Sequence, residues 1–151
     1  MKIRIIKDIL NMIEQDKNIG LIDAKTLMSE EDEYEDEFIH VLKVMEIEGY
    51  IKTYKPSSKR MPEVKLTPKG AFYGKEYIKD YDKIFNEVTS LIAKDSKQFN
   101  NNTTISRELN IPPIYVGAVL NDLEKQKYIT LKQMASGLFF KFTDRGREYF
   151  F

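Results

Sequence analysis

Asn121 and Lys125 stand one helical turn apart in the run Ile114 to Lys127, whose positions Val116, Val119, Leu120 and Leu123 form an apolar stripe. A carboxamide on an outward face of this helix can pair with the edge of adenine, an ammonium can reach a phosphate, and Ala118, about one turn before Asn121, can touch a thymine methyl. Tyr115 flanks the same stripe. Arg107, Lys132 and Lys141 add cations in the same half of the chain, and Lys55, Lys59 and Arg60 add more in a loop that holds Pro56, Ser57 and Ser58. The chemistry these residues suit is contact with double-stranded DNA, through Arg107, Tyr115, Ala118, Asn121, Lys125, Lys132, Lys141, Lys55, Lys59 and Arg60. A competing account is a helix that only covers its own core, since a groove-reading helix usually carries more than one cation.

Other chemistries find little to work with. There is no cysteine, which excludes disulfides and thiolate chemistry and fits a reducing, cytoplasmic setting. His40 is the single histidine, and no Gly-rich phosphate loop or His-Glu-x-x-His pattern accompanies it. The run from Glu30 to Glu37 is acidic but lacks the Asp-x-Asp-x-Asp-Gly alternation of a calcium loop. No enzyme, metal or cofactor is therefore expected. Lys+Arg and Asp+Glu are both 24, so attraction to a polyanion must come from local patches. Charges interrupt each apolar run, and no membrane span is expected. Abundant Lys, Ile, Asn and Tyr match the bias of AT-rich bacterial or phage genomes.

The elements that must position these residues are written twice. Ile5, Ile6, Ile9, Leu10 and Ile13 predict a first amphipathic helix. A short piece, Asp23 to Met28, leads to a longer helix from about Glu31 to Glu48, with Ser29 and Asp32 as its capping signal. Gly49 stops it, and Tyr50 to Tyr54 and Glu63 to Leu66 predict a hairpin, after which Thr67-Pro68 starts another helix. The second half repeats this order. Ile84, Phe85, Val88, Leu91 and Ile92 open it, Thr103 or Thr104 caps a short helix, Ile114 to Lys127 follows, and a hairpin around Gly137 closes it. Leu42, Met45, Tyr50 and Ile51 match Leu120, Leu123, Tyr128 and Ile129, and Leu66-Thr67-Pro68-Lys69-Gly70 matches Phe142-Thr143-Asp144-Arg145-Gly146. A repeated supersecondary unit means two domains of one kind, here 1–72 and 83–151, with a helical linker over 73–82 that carries Tyr73, Tyr77 and Tyr81.

Three helices followed by a two-stranded wing resemble the winged-helix superfamily, and Thr104-Ile105-Ser106-Arg107-Glu108-Leu109-Asn110-Ile111 carries the likeness best. The first half, through Glu48-Gly49-Tyr50-Ile51 and Leu66-Thr67-Pro68-Lys69-Gly70, is similar to the YjcQ-like winged-helix proteins of Firmicutes and their phages. The resemblance implies a mainly α fold with small β-hairpin wings (α+β), as two tandem winged-helix domains. It also implies a DNA-binding regulatory or accessory role, with the third helix in the major groove. The alternative is a protein-interaction adaptor without direct DNA binding, because winged helices also serve that purpose.

The first unit departs from the DNA pattern. Glu30-Glu31-Asp32-Glu33-Tyr34-Glu35-Asp36-Glu37 would meet phosphates where a groove-entering helix begins, and DNA would repel it. Ile39, Val44 and Ile47 lie outside the inward stripe Phe38, Val41, Leu42 and Met45. They predict a protein interface, in a homodimer or with another partner, towards which the basic wing from Lys52 to Lys69 would supply complementary charge.

Overall fold

The computed structural model describes residues 1–30, 32, 34–55 and 61–151. The chain divides into two units, Met1–Tyr77 and Ile78–Phe151, each mainly helical with a small antiparallel sheet.

In the first unit, α1 (Lys2–Gln15) buries Ile5, Ile6, Ile9, Leu10 and Ile13, the stripe its spacing predicts. β1 (Ile22–Asp23) follows, then a 3-10 helix, Ala24–Leu27, started by Asp23, whose carboxylate accepts the Lys25 backbone N–H. The long helix, α2 (Glu35–Ile47), begins later than Glu31, and Tyr34 precedes it with no side-chain cap. The Ser29–Asp32 signal instead closes a turn. Asp32 accepts the Ser29 backbone N–H at 2.7 Å and the Arg4 guanidinium at 2.7 Å, which ties this turn back to α1. β2 (Ile51–Tyr54) and β3 (Glu63–Leu66) form the hairpin, and β1 joins the free edge of β3 to give the order β1-β3-β2. α3 (Pro68–Tyr73) starts at Thr67, whose hydroxyl accepts the Gly70 N–H.

The stretch from 73 to 82 is not one helix. α3 ends at Gly74, a 3-10 turn covers Lys75–Tyr77, and α4 (Tyr81–Lys94) begins after Asp80, whose φ of 58° breaks the helical path.

The second unit runs in the same order. α4 buries Ile84, Val88 and Ile92. Asn101 makes an isolated bridge to Phe139 where the first unit has β1, and it also caps α5 (Asn102–Leu109), accepting from Thr104 at 3.0 Å. The sequence reading gives that role to Thr103 or Thr104, and Asn101 takes it instead. α6 (Pro113–Lys125), β4 (Ile129–Met134), β5 (Gly137–Phe142) and α7 (Asp144–Phe150) complete it.

One set of contacts closes both units. Tyr50 and Tyr128 donate their N–H to Met45 and Leu123, the last turns of α2 and α6. Thr67 and Thr143 return the chain by donating N–H groups to the Tyr50 and Tyr128 carbonyls, each at 3.1 Å. Glu46 accepts the Thr53 N–H and Glu124 the Leu131 N–H, so each long helix also grips its first hairpin strand. Tyr50 packs on Tyr73 with ring centroids 4.5 Å apart, and Tyr128 stacks on Tyr149 at 4.2 Å. Lys69 and Arg145 lie over the rings of the same two tyrosines. At Gly70 and Gly146 any Cβ would overlap the Tyr50 or Tyr128 carbonyl, so both positions require glycine.

Candidate nucleic-acid interface

Strand alternation sorts the second hairpin into two faces. The register pairs Ile129 with Phe142, Leu131 with Phe140 and Gln133 with Leu138 on the face that buries Ile129, Leu138 and Phe140. The opposite face carries Thr130 beside Lys141, Lys132 beside Phe139 and Met134 beside Gly137. Phe140 donates its N–H to the Asn100 carbonyl, which adds the segment before α5 to the β5 edge and brings Ser96 and Lys97 to the rim. A groove of about 890 Å³ results, lined by Lys97, Lys132, Lys141 and Arg147 around Phe139 and Met134, with no carboxylate in its lining. Lys97, Lys132 and Lys141 are exposed, and none of them makes an ion pair among the described residues. Arg147 pairs with Asp144 at 3.2 Å, an exposed contact of little strength.

Lys132 and Lys141, both named from the sequence, thus share one surface. α6 does not present the expected face. Tyr115 is 3% exposed and Ala118 0%, so neither lies on an outward stripe. Val116, Val119, Leu120 and Leu123 are buried as well, because α6 packs against α4, α5 and β4 at once. Asn121 is half-buried and Lys125 exposed, at the end of the helix rather than along it. Between them in sequence, Asp122 is held by the Tyr81 hydroxyl at 2.8 Å and by the Gln126 amide at 2.8 Å. Burial first and this hydrogen bond second push the Tyr81 hydroxyl far above its ordinary pKa, so it stays a donor to Asp122. Arg107 is exposed on α5, away in sequence from the hairpin.

In the first unit Lys55 is exposed, while Lys59 and Arg60 lie outside the described residues. The hairpin face that pairs Lys52 with Lys65 also pairs Tyr54 with Glu63, so a carboxylate sits among its cations. On α2, Ile39 and Val44 are half-buried, whereas Ile47 is 85% exposed. His40 is exposed, and no cluster able to hold a metal ion occurs among the described residues. No helix is long and apolar enough to cross a membrane among the described residues.

Phe139, Met134 and Arg147 line the groove although the sequence reading does not single them out. The signal for Phe139 was available: Lys132 and Lys141 fall on alternate positions of two strands around a tight turn, which places Phe139 on their face. Arg147 reaches the groove from α7, and its spacing gives no such hint. No family model matches the chain, and no curated protein or solved structure is similar to it.

Proposed function

We propose that the protein is a nucleic-acid-binding regulatory or accessory protein built from two tandem winged helices, the first of the YjcQ-like kind. In this reading α2 and α6 are the third helices and the two hairpins are the wings. The observation that carries it is the groove on the second hairpin: three exposed lysines without ion-pair partners line it, with Arg147 beside them and no carboxylate in the lining, in a chain whose net charge is zero. Buried Tyr115 and Ala118 move the contact set away from the middle of α6, to Lys132 and Lys141 with Lys97 and Arg147.

Fluorescence anisotropy with mixed-sequence DNA over a series of salt concentrations tests this. Binding should weaken steeply with salt, and a Lys132→Ala, Lys141→Ala double variant should flatten the log–log salt slope by roughly 2, the loss of two phosphate contacts. No binding at low salt would reject the reading.

The adaptor reading has its own support in Ile47, a large apolar side chain left almost wholly in water on α2. A partner covering it, a second copy included, would make this face an interface. Sedimentation of wild type and Ile47→Glu across a concentration series distinguishes self-association from a monomer.

A further inference from the structure

We propose that the outer face of the β4–β5 hairpin takes an unpaired nucleic-acid strand in preference to a duplex, with a base stacked on Phe139 and phosphates held by Lys132, Lys141 and Lys97. This rests on the nucleic-acid reading above and narrows it to a substrate class.

Two features of the face argue for an unpaired strand. Phosphate contact alone needs cations and hydrogen-bond donors, and a duplex offers little else to a flat surface, since its bases are stacked and paired inside. Here the cations surround an aromatic and thioether floor. Phe139 is half-buried directly across from Lys132, and Met134 is 47% exposed beside it. Only a strand with free base faces fills such a floor and meets the cations together, and ring-to-base stacking tolerates any sequence. The second feature is α6. Base edges in a duplex are read from the major groove by an exposed helix, and α6 is buried from Tyr115 through Leu120. Base contact therefore falls to the hairpin.

Neighbouring groups suit the same ligand. Thr130 lies beside Lys141 in the register, and Ser96 and Asn100 line the rim, placing hydroxyl and amide groups within the groove. Phe140 and Phe142 also line the groove, edge to face at 5.6 Å, and Phe142 packs on Phe150 of α7 with ring centroids 5.2 Å apart.

The test compares a labelled oligothymidine with a mixed duplex of equal length, at low and moderate salt. The single strand should bind at least about tenfold more tightly. Phe139→Leu, which keeps bulk and apolarity but removes the ring, should weaken the single strand about tenfold and leave the duplex unchanged. A 2-aminopurine placed in the strand should be quenched on wild type and recover on the variant. Thermal melting checks that Phe139→Leu folds. If it does not, quenching on wild type against Lys132→Ala carries the same comparison. Duplex bound as well as the single strand, or a ring-deleted variant with unchanged affinity, overturns the proposal while leaving nucleic-acid binding intact. A mononucleotide binding as tightly as the oligomer overturns it in favour of a small aromatic anion. Failure of both nucleic acids to bind at low salt removes the wider reading too.

Discussion

Thr143 closes the second unit on Tyr128. Its backbone N–H donates to the Tyr128 carbonyl at 3.1 Å, its hydroxyl donates to the neighbouring Lys127 carbonyl at 2.7 Å, and the same oxygen accepts the Gly146 N–H at 3.0 Å. Helix end, hairpin end and final helix meet at this one residue, and Thr67 holds the equivalent place through Tyr50, Gly49 and Gly70.

Thr143→Ala is expected to destabilise by about 1–2 kcal/mol, the worth of a helix cap with one further hydrogen bond. Gly146→Ala should cost more, roughly 2–3 kcal/mol, because its methyl overlaps the Tyr128 carbonyl and backbone must move. Urea denaturation of the two variants against wild type checks the order.

The left-handed residue before each tyrosine differs between units. Gly49 has φ 85° at no steric cost, while Lys127 occupies φ 67° with a side chain. Lys127→Gly should therefore stabilise by up to about 1 kcal/mol, and Gly49→Ala should destabilise by about the same. Paired melting curves show whether the two changes move in opposite directions.

Asp32 sets an acid limit on the first unit. Burial alone would raise its pKa, but the Ser29 backbone N–H, the Arg4 charge and the Ser29 hydroxyl outweigh that, and the net shift is downward from 3.8. A carboxylate with a lowered folded pKa adds stability above its unfolded pKa and loses it as pH falls through the folded value. The contribution is thus whole near neutrality and declines below about pH 3.8. Asp32→Asn should lower stability at pH 7 and make the two proteins converge in acid. A constant difference across the range would show that the charge plays no part.

Ala118→Leu tests the burial of α6. Adding three carbons at a position with no exposure should cost about 1–3 kcal/mol, whereas the same change on an outward helix face would be close to neutral. A calorimetric midpoint equal to wild type would return Ala118 to the surface.

The repeat was legible because its signals are local. Helix stripes, Gly49 and the Thr67 start each speak through a few adjacent residues; α1 buries its whole predicted stripe, whereas Val41 on α2 and Phe85 and Leu91 on α4 are only half-buried. Burial of Ala118 and Tyr115 was not legible. Val116, Val119, Leu120 and Leu123 already account for one core face, and nothing in the spacing tells that α4, α5 and β4 surround the helix on several sides. Small residues there, Gly117 and Ala118, were the available clue, since they allow close approach of neighbours. β1 escaped because two residues carry no alternation. Ser29 and Asp32 read as a cap because a cap and a tethered turn draw on the same residue types; the choice depended on Arg4, far away in sequence.

The closing contacts are not the only hold on the second hairpin. Both units are fastened where the hairpin strands begin and end, at Tyr50 and Thr67 and at Tyr128 and Thr143, and neither fastening involves the tip. The two tips differ accordingly: Tyr54 and Glu63 are register partners at the end of one hairpin, and Met134 and Gly137 at the end of the other, so the connecting segment is much longer in the first. The short connection of the second hairpin has its own hold: Thr103 donates its hydroxyl to the Ser136 carbonyl at 3.1 Å and Asn102 accepts the Leu138 N–H at 2.9 Å, so the turn is tied to the start of α5. A foreign peptide spliced in at Ser136 would therefore have to break the bonds to Asn102 and Thr103, while the frame at Tyr128 and Thr143 would keep its own.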